Sequence, residues 1–227
     1  MAVSSPLARR SLRLAHRGDW RHAPENTLAA FQAALAVPGC DGLEFDVQAA
    51  RGGVPVCYHD DTLTRVHRID RGISEMTVDE LEAIGVPTLA DVLAAIPRRA
   101  FLDIELKGDP GRPAFEAILG GRGPGLERAV VSSFETATLE RIGGLAPTWP
   151  RWLNAEDAAP ATIAAAVELS CRAVSVEWHA LDAGAIARAR AAGLEIVAWT
   201  IRRRPTAARL ERLGVSVMCV EAGALDG

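Results

Sequence analysis

The sequence alternates short apolar segments with alanine-rich helical patterns from one end to the other, and this alternation limits the folds available to it. The apolar segments have the length and the β-branched content of buried strands. They read SLRLAH, GLEFDV, AFLDIEL, RAVVSSF, PRWLN, RAVSVEW, LEIVAWTI and VSVMCV. About eight strands, most of them followed by a helix, match a (β/α)8 TIM barrel, and a doubly wound open sheet is the alternative.

Polar residues at the ends of the predicted strands favour the barrel over the open sheet. These residues are His16, Asp46, Glu105, Lys107, Asn154, Glu177, Thr200 and Glu221. A barrel enzyme builds its site from the ends of many strands, whereas an open sheet concentrates its site at one crevice. The segment HRGDWRH also lacks the glycine spacing of a dinucleotide-binding loop. We therefore predict an α/β TIM barrel, formed by one catalytic domain over residues 1–227.

Residues 48–87 interrupt this alternation. They contain an additional strand-like segment, VPVCYHD, followed by a polar stretch and a small helix. Thr77 and Glu80 have the spacing of a capping box at the start of that helix. We predict a small excursion after the second barrel strand, placed on top of the barrel, which brings His59 to the barrel mouth.

Charge and composition argue against several classes of protein. The net charge of -4 provides no basic surface for nucleic acid or for an anionic membrane. Residues 1–13 lack the apolar core of a signal peptide, and no segment approaches the roughly 20 apolar residues of a spanning helix. We therefore predict a cytoplasmic protein with no nucleic-acid partner and no stable membrane insertion. The cysteines form no CxxC pair, and we assign them no chemical role.

Charged residues interrupt two of the predicted strands on one face. In GLEFDV, Glu44 and Asp46 share one face; in FLDIELKG, Asp103, Glu105 and Lys107 share one face. If the opposite apolar faces pack on the surrounding helices, these charges point into the barrel. One explanation is a buried ion-pair network, in which Lys107 and Arg17 neutralise the acids. The other is a divalent cation, and oxygen ligands alone indicate Mg²⁺ or Ca²⁺.

Two of the five histidines occupy positions suited to acid–base chemistry. His16 ends the first predicted strand, and His59 ends the excursion strand beside Asp60, which could orient its ring. A single histidine at a strand end is more often structural, but two beside three carboxylates and two cationic residues form a stronger pattern. The remaining histidines are predicted to lie in polar loops or at the rim, and they are His22, His67 and His179.

The order of the motifs resembles that of the glycerophosphodiester phosphodiesterase family. The motifs are AHRG, PENTLAAFQAAL, GLEFDV, VPVCYHDDTLTR, VPTLADVL, LDIELKG, VVSSFE and GLEIVAWT, over about residues 13 to 201. The resemblance implies a TIM barrel and a metal-dependent hydrolase that converts glycerophosphodiesters, as small-molecule substrates, to glycerol 3-phosphate and an alcohol.

The resemblance also implies roles for individual residues. His16 and His59 correspond to the acid–base pair of the family. Glu44, Asp46 and Glu105 correspond to the ligands of one divalent cation, Mg²⁺ or Ca²⁺. Residues that correspond to the substrate-binding positions are Arg17 and Lys107 for phosphate and Trp199 for the pocket.

The sequence departs from the family pattern around the predicted pocket. Arg202 replaces the usual asparagine after the WTI segment, and Val220 and Glu221 replace the usual Thr-Asp at the last strand end. Arg202 either reaches the mouth or belongs to a solvated run of arginines. Two other functions stay open: a phospholipase D-like phosphodiesterase acting on lysophospholipids, and a catalytically silent barrel that binds a phosphorylated ligand.

Overall fold

A computed structural model describes residues 10–226, and its strands form a sheet that closes on itself. The strands are β1 (Leu12–His16), β2 (Gly42–Ala49), β3 (Pro55–Cys57), β4 (Phe101–Leu106), β5 (Ala129–Ser133), β6 (Arg151–Ala155), β7 (Ala173–Glu177), β8 (Glu195–Ile201) and β9 (Val217–Val220). All except β3 run parallel, and β1 pairs with both β2 and β9, which closes the barrel. The predicted TIM barrel is therefore confirmed, and each predicted barrel strand is present.

Helices connect the strands and cover the outside of the barrel. They are α1 (Leu28–Ala36), α2 (Thr64–His67), α3 (Val78–Glu82), α4 (Leu89–Ala95), α5 (Gly111–Arg122), α6 (Thr136–Leu145), α7 (Pro160–Glu168), α8 (Ala183–Ala191) and α9 (Arg204–Leu213). Their ends follow the polar signals of the sequence. Thr27, Thr77 and Asp182 accept backbone N–H groups at helix starts, and Gly214, at φ 91°, ends α9.

The two faces of each barrel strand have different surroundings. Leu43, Phe45 and Ile104 point outward and pack with the helices in the main apolar core. The inward face begins with an apolar layer at the bottom of the barrel, formed by Leu14, Val130, Trp152, Ala173, Val197, Val217 and Cys219. Because side chains alternate along a strand, the charged residues of β2 and β4 lie inside the barrel above this layer.

The excursion over residues 48–87 packs as a small unit beside the end of β2. Its strand β3 pairs antiparallel with β2, with Val47 opposite Cys57. A separate apolar cluster, which includes Tyr58, Leu63 and Leu81, holds the short helices together. The predicted excursion is therefore present, and it fixes the backbone just before His59.

Three sequence predictions concern a membrane-spanning helix, a signal peptide and the number of domains. Within residues 10–226, no helix is long and apolar enough to cross a membrane. Residues 1–9, which belong to the segment considered for a signal peptide, lie outside the described residues. That residues 1–227 form one domain stays a prediction.

Candidate active site

A cavity of about 640 Å³ opens at the carboxyl ends of the barrel strands. Six of the residues predicted from the sequence line it: His16, Arg17, Glu44, His59, Glu105 and Trp199. Asp46 lies beneath the cavity surface and is 1% exposed. Lys107 follows β4 and approaches the same acids from the side. The structure therefore brings all eight predicted site residues to one end of the barrel.

Three carboxylates form a compact cluster at the base of this cavity. Parallel pairing of β2 with β4 places Asp46 opposite Glu105 and Glu44 opposite Asp103. Oxygen atoms of Glu44, Asp46 and Glu105 lie within 4.8 Å of one another. Asp103 also lines the cavity and is 2% exposed, but it lies outside this cluster, and burial raises its pKa to about 7.

Burial and mutual repulsion shift the pKa values of these acids. Burial, followed by the charges of Asp46 and Glu105, raises the pKa of Glu44 well above its usual value. Burial and the charge of Asp46 likewise raise the pKa of Glu105 to about 8. Burial would raise the pKa of Asp46, but Arg17 and other nearby cations hold it below its usual value. The cluster therefore resists carrying three negative charges at neutral pH.

Cationic and amide groups neutralise part of the cluster. Arg17 Nε lies 3.2 Å from Asp46 Oδ2, and Lys107 Nζ lies 3.6 Å from Glu105 Oε1. Asn26 donates from Nδ2 to Asp46 Oδ2 at 2.9 Å. The ion pairs considered from the sequence are thus present for Asp46 and Glu105. They do not reach Glu44, whose buried Oε2 has no hydrogen-bond partner among the described residues.

This incomplete neutralisation fits a hard divalent cation. A buried carboxylate oxygen without a partner is unfavourable unless a charge or a proton compensates it. Three carboxylates and no sulfur or imidazole ligand form a donor set that suits Mg²⁺ or Ca²⁺ better than Zn²⁺. Glu44, Asp46 and Glu105 could therefore hold one cation, with solvent or substrate oxygens completing its coordination.

The two predicted catalytic histidines line the cavity, and each has a carboxylate on Nδ1. His16 Nδ1 lies 2.5 Å from Glu221 Oε1, and His59 Nδ1 lies 2.6 Å from Asp60 Oδ1. His16 Nε2 points toward the acidic cluster, 3.8 Å from Glu44 Oε2. Burial lowers the pKa of His16, although the hydrogen bond with Glu221 opposes this shift. Both rings are therefore oriented with Nε2 available for proton transfer.

The other histidines lie away from the cavity lining. His22 is exposed on the first loop, 3.8 Å from Asp19. His67 packs against the ring of Tyr58 in the excursion. His179, also exposed, contacts Glu177.

Several residues that support the site, including Glu25, Asn26 and Arg65, escaped the sequence prediction. Glu25 accepts a hydrogen bond at 3.1 Å from the predicted residue Arg17, whose φ of 59° turns the chain after β1. Arg65 binds both Glu25 and Asp60, so it links the first loop to the excursion. Asn26 adopts φ 56° and holds Asp46, while Thr27 caps α1. In the PENT segment, two polar residues precede the helix cap Thr27, which could have marked them as functional. The sequence did not reveal which residues they contact.

Aromatic and charged side chains form the rim of the cavity. Trp199 packs edge-to-face with Phe134 at 5.6 Å, and Phe134 and Trp20 are each more than 40% exposed. Arg202 also lines the cavity, and its Nε lies 2.7 Å from Glu221 Oε2. The pairing of β8 with β9 shifts register between Ala198 and Ile201, so strict alternation fails there. Of the two placements considered for Arg202, the structure shows the one at the cavity mouth.

A parallel barrel whose mouth combines acids, cations and two oriented histidines belongs to the class of barrel hydrolases that act on anionic substrates. Residues 16–222 match the model of the Glycerophosphoryl diester phosphodiesterase family, and the chain belongs to that family. It is accordingly an enzyme, a phosphoric diester hydrolase.

Individual relatives agree with this assignment. The chain is 29% identical to the protein YhdW of Bacillus subtilis (strain 168), over 89% of this chain and 90% of that protein. It is 32% identical to a glycerophosphodiester phosphodiesterase of Caldanaerobacter subterraneus subsp. tengcongensis, over 61% of this chain and 64% of that protein. A solved phosphodiesterase structure from Oleispira antarctica, in complex with the product sn-glycerol-3-phosphate, matches with a TM-score of 0.81 and 26% identity over 93% of each chain.

Proposed function

We propose that this protein hydrolyses glycerophosphodiesters to glycerol 3-phosphate and an alcohol, in a reaction that depends on one divalent cation. The observation that carries the proposal is the convergence of two carboxylate-oriented histidines on a buried acidic cluster in one cavity. Family membership supports the substrate class. The product bound in the Oleispira antarctica relative supports glycerol 3-phosphate as the product here.

Glu44, Asp46 and Glu105 are the proposed ligands of the cation, Mg²⁺ or Ca²⁺. When bound, the cation supplies positive charge that offsets the phosphate oxygens and the charge developing during reaction. Arg17 and Lys107 are the proposed phosphate-binding residues. Each lies within 4 Å of an acid of the cluster, so both place positive charge beside the proposed phosphate position.

The two histidines are the proposed acid and base. One accepts the proton of a glycerol hydroxyl group, whose oxygen attacks phosphorus and forms a cyclic phosphate. The other donates a proton to the leaving alcohol oxygen as its bond to phosphorus breaks. Water then opens the cyclic phosphate with the proton transfers reversed. Because Asp60 and Glu221 occupy Nδ1 of each ring, Nε2 is the atom that exchanges these protons.

The rim favours a second candidate substrate within the same chemistry. Trp20, Phe134 and Trp199 provide apolar surface beside the cavity, and this surface could hold the acyl chain of a lysophospholipid. A phospholipase D-like activity on lysophospholipids is therefore the second candidate. The cytoplasmic location and the absence of a nucleic-acid partner stay predictions from the sequence.

Direct product analysis tests the proposal. Purified protein is incubated with glycerophosphocholine, glycerophosphoglycerol or a lysophospholipid, with added Mg²⁺, added Ca²⁺ or a chelator, and glycerol 3-phosphate and lysophosphatidate are measured. Cation-dependent release of glycerol 3-phosphate supports the proposal. Faster release of lysophosphatidate favours the second candidate. Absence of turnover on all three substrates, with any cation, would indicate a barrel that only binds its ligand.

A further inference from the structure

Glu221 lies at the end of the last barrel strand and bridges two residues of the cavity. Its side chain is 5% exposed. One carboxylate oxygen contacts His16 Nδ1 at 2.5 Å, and the other accepts from Arg202 Nε at 2.7 Å. His59 obtains its carboxylate from the adjacent residue Asp60, whereas His16 obtains one from 205 residues away along the chain.

We propose that Glu221 is a positioning residue for His16 and that Arg202 holds Glu221 in place. An ionised carboxylate only accepts hydrogen bonds, so the Nδ1 atom of His16 must donate its proton to Glu221. A neutral imidazole carries one ring proton, so Nε2 is left as an acceptor facing Glu44 and the acidic cluster. Glu221 thereby selects both the orientation and the tautomer of His16.

Backbone hydrogen bonds around Glu221 and Arg202 hold the two residues next to each other. Glu221 N donates to Ile201 O at 2.9 Å, and Ala224 N donates to Arg202 O at 3.2 Å. Burial would raise the pKa of Glu221, but the hydrogen bonds from His16 and Arg202 hold it below its usual value. Arg202 is 67% exposed and lies outside Glu221, so it completes the charge pairing from the cavity mouth.

The structural half of the inference is tested without turnover or metal. Chelator-treated protein labelled with ¹⁵N-histidine is examined by NMR at about pH 8, where an ordinary imidazole is neutral. We expect the His16 ring, assigned with a His16→Gln variant, to be the Nδ1–H tautomer in the wild type. In Glu221→Ala it should move toward the Nε2–H form. An Nε2–H ring in the wild type, or an unchanged tautomer in Glu221→Ala, overturns the proposal.

The catalytic half rests on the proposed function and is tested by kinetics. Loss of a hydrogen-bond partner that orients a functional side chain commonly lowers activity by about 10–100-fold. We expect Glu221→Ala to lower kcat by that factor with KM within about threefold of wild type. Glu221→Asp should recover part of the loss, and Arg202→Ala should show a smaller decrease in kcat. The exposed neighbour variant Arg203→Ala should match wild type.

The two tests separate the possible failures. Equal kcat values for Glu221→Ala and wild type would overturn the positioning role even if the tautomer shifts. A wild type that shows the Nδ1–H tautomer but releases no glycerol 3-phosphate would refute the proposed function, and the tautomer assignment would stand. A loss of kcat in Glu221→Ala that Glu221→Asp does not relieve, with an unshifted tautomer, would assign Glu221 to packing of β9 alone.

Discussion

The acidic cluster should make the metal-free protein less stable as pH rises, and Glu105→Gln should remove much of this effect. Burial and the charge of Asp46 raise the pKa of Glu105 to about 8, against an ordinary value of 4.5. Between these pH values the folded protein keeps a proton that the unfolded chain releases. The stabilising contribution is therefore complete below about pH 4.5 and is lost as pH rises to about 8.

The size of the stability change follows from the raised pKa of Glu105. Each pH unit within this window removes about 1.4 kcal/mol from the free energy of unfolding, up to about 5 kcal/mol in total. Glutamine keeps the shape of the side chain and carries no proton equilibrium in this range. Glu105→Gln should therefore be increasingly more stable than the wild type as pH rises from about 5 to about 8, by at most this amount.

Urea denaturation in chelator, at intervals from about pH 5 to about pH 8, measures the difference between the two proteins. Taking the difference cancels the titration of groups far from Glu105, whereas Glu44, whose pKa the charge of Glu105 helps to raise, titrates differently in the two proteins. Glu116→Gln, on the exposed face of α5, is the matched control and should stay within about 0.5 kcal/mol of wild type. A wild type that gains stability relative to Glu105→Gln as pH rises would refute the reasoning.

Added cation should reduce the stability difference between the wild type and Glu105→Gln at high pH. A ligand that binds only the folded protein at a hundred times its Kd adds about 2.7 kcal/mol to the free energy of unfolding. The wild type, with all three carboxylates of the cluster, should gain more from Mg²⁺ or Ca²⁺ than Glu105→Gln does. Equal gains in both proteins would contradict the cluster as the cation site.

Three further predictions concern activity. His16→Ala and His59→Ala should each lower kcat by about 100-fold or more, the range typical of lost acid–base catalysis, whereas His22→Ala and His67→Ala should change kcat little; equal kcat values in the two groups of variants would refute these roles. Chelator should abolish turnover and leave the circular dichroism spectrum unchanged; full activity without metal would contradict this. Arg202→Asn should raise the efficiency on glycerophosphocholine relative to glycerophosphoglycerol, because the guanidinium at the mouth disfavours a cationic alcohol group; an unchanged ratio would show that Arg202 does not read this group.

The barrel and the inward charges were predictable because both depend on local alternation. Two strands with acids on one face and large apolar residues on the other have one favourable arrangement in a barrel, with the apolar face against the helices. Glu44, Asp46 and Glu105 meet because alternation turns them inward and because β2 and β4 are paired neighbours. Acids at alternate positions of β2 and β4 could be assigned to one face without knowledge of the loops.

The partners of the site residues were less predictable because they depend on tertiary contacts. Glu25 binds Arg65 across 40 residues, and no local pattern specifies that pairing. Alternation along β8 left the placement of Arg202 open, and its position at the mouth follows a shift in the register between β8 and β9 that the sequence does not reveal. Glu221 was recognised as a polar strand end, but its contact with His16 required the closure of β9 onto β1.

The two layers inside the barrel explain why stability and cation binding oppose each other here. The lower layer, which includes Leu14, Trp152 and Val197, excludes water beneath the acidic cluster. The low dielectric constant of this apolar layer strengthens the repulsion among Glu44 and its neighbouring acids. It strengthens the attraction of these acids for a cation by the same Coulomb factor. A polar substitution in this apolar layer, such as Val197→Thr, would weaken both the repulsion among the acids and their attraction for a cation. The apolar layer is thus part of the proposed cation site, although its side chains supply none of the proposed ligands.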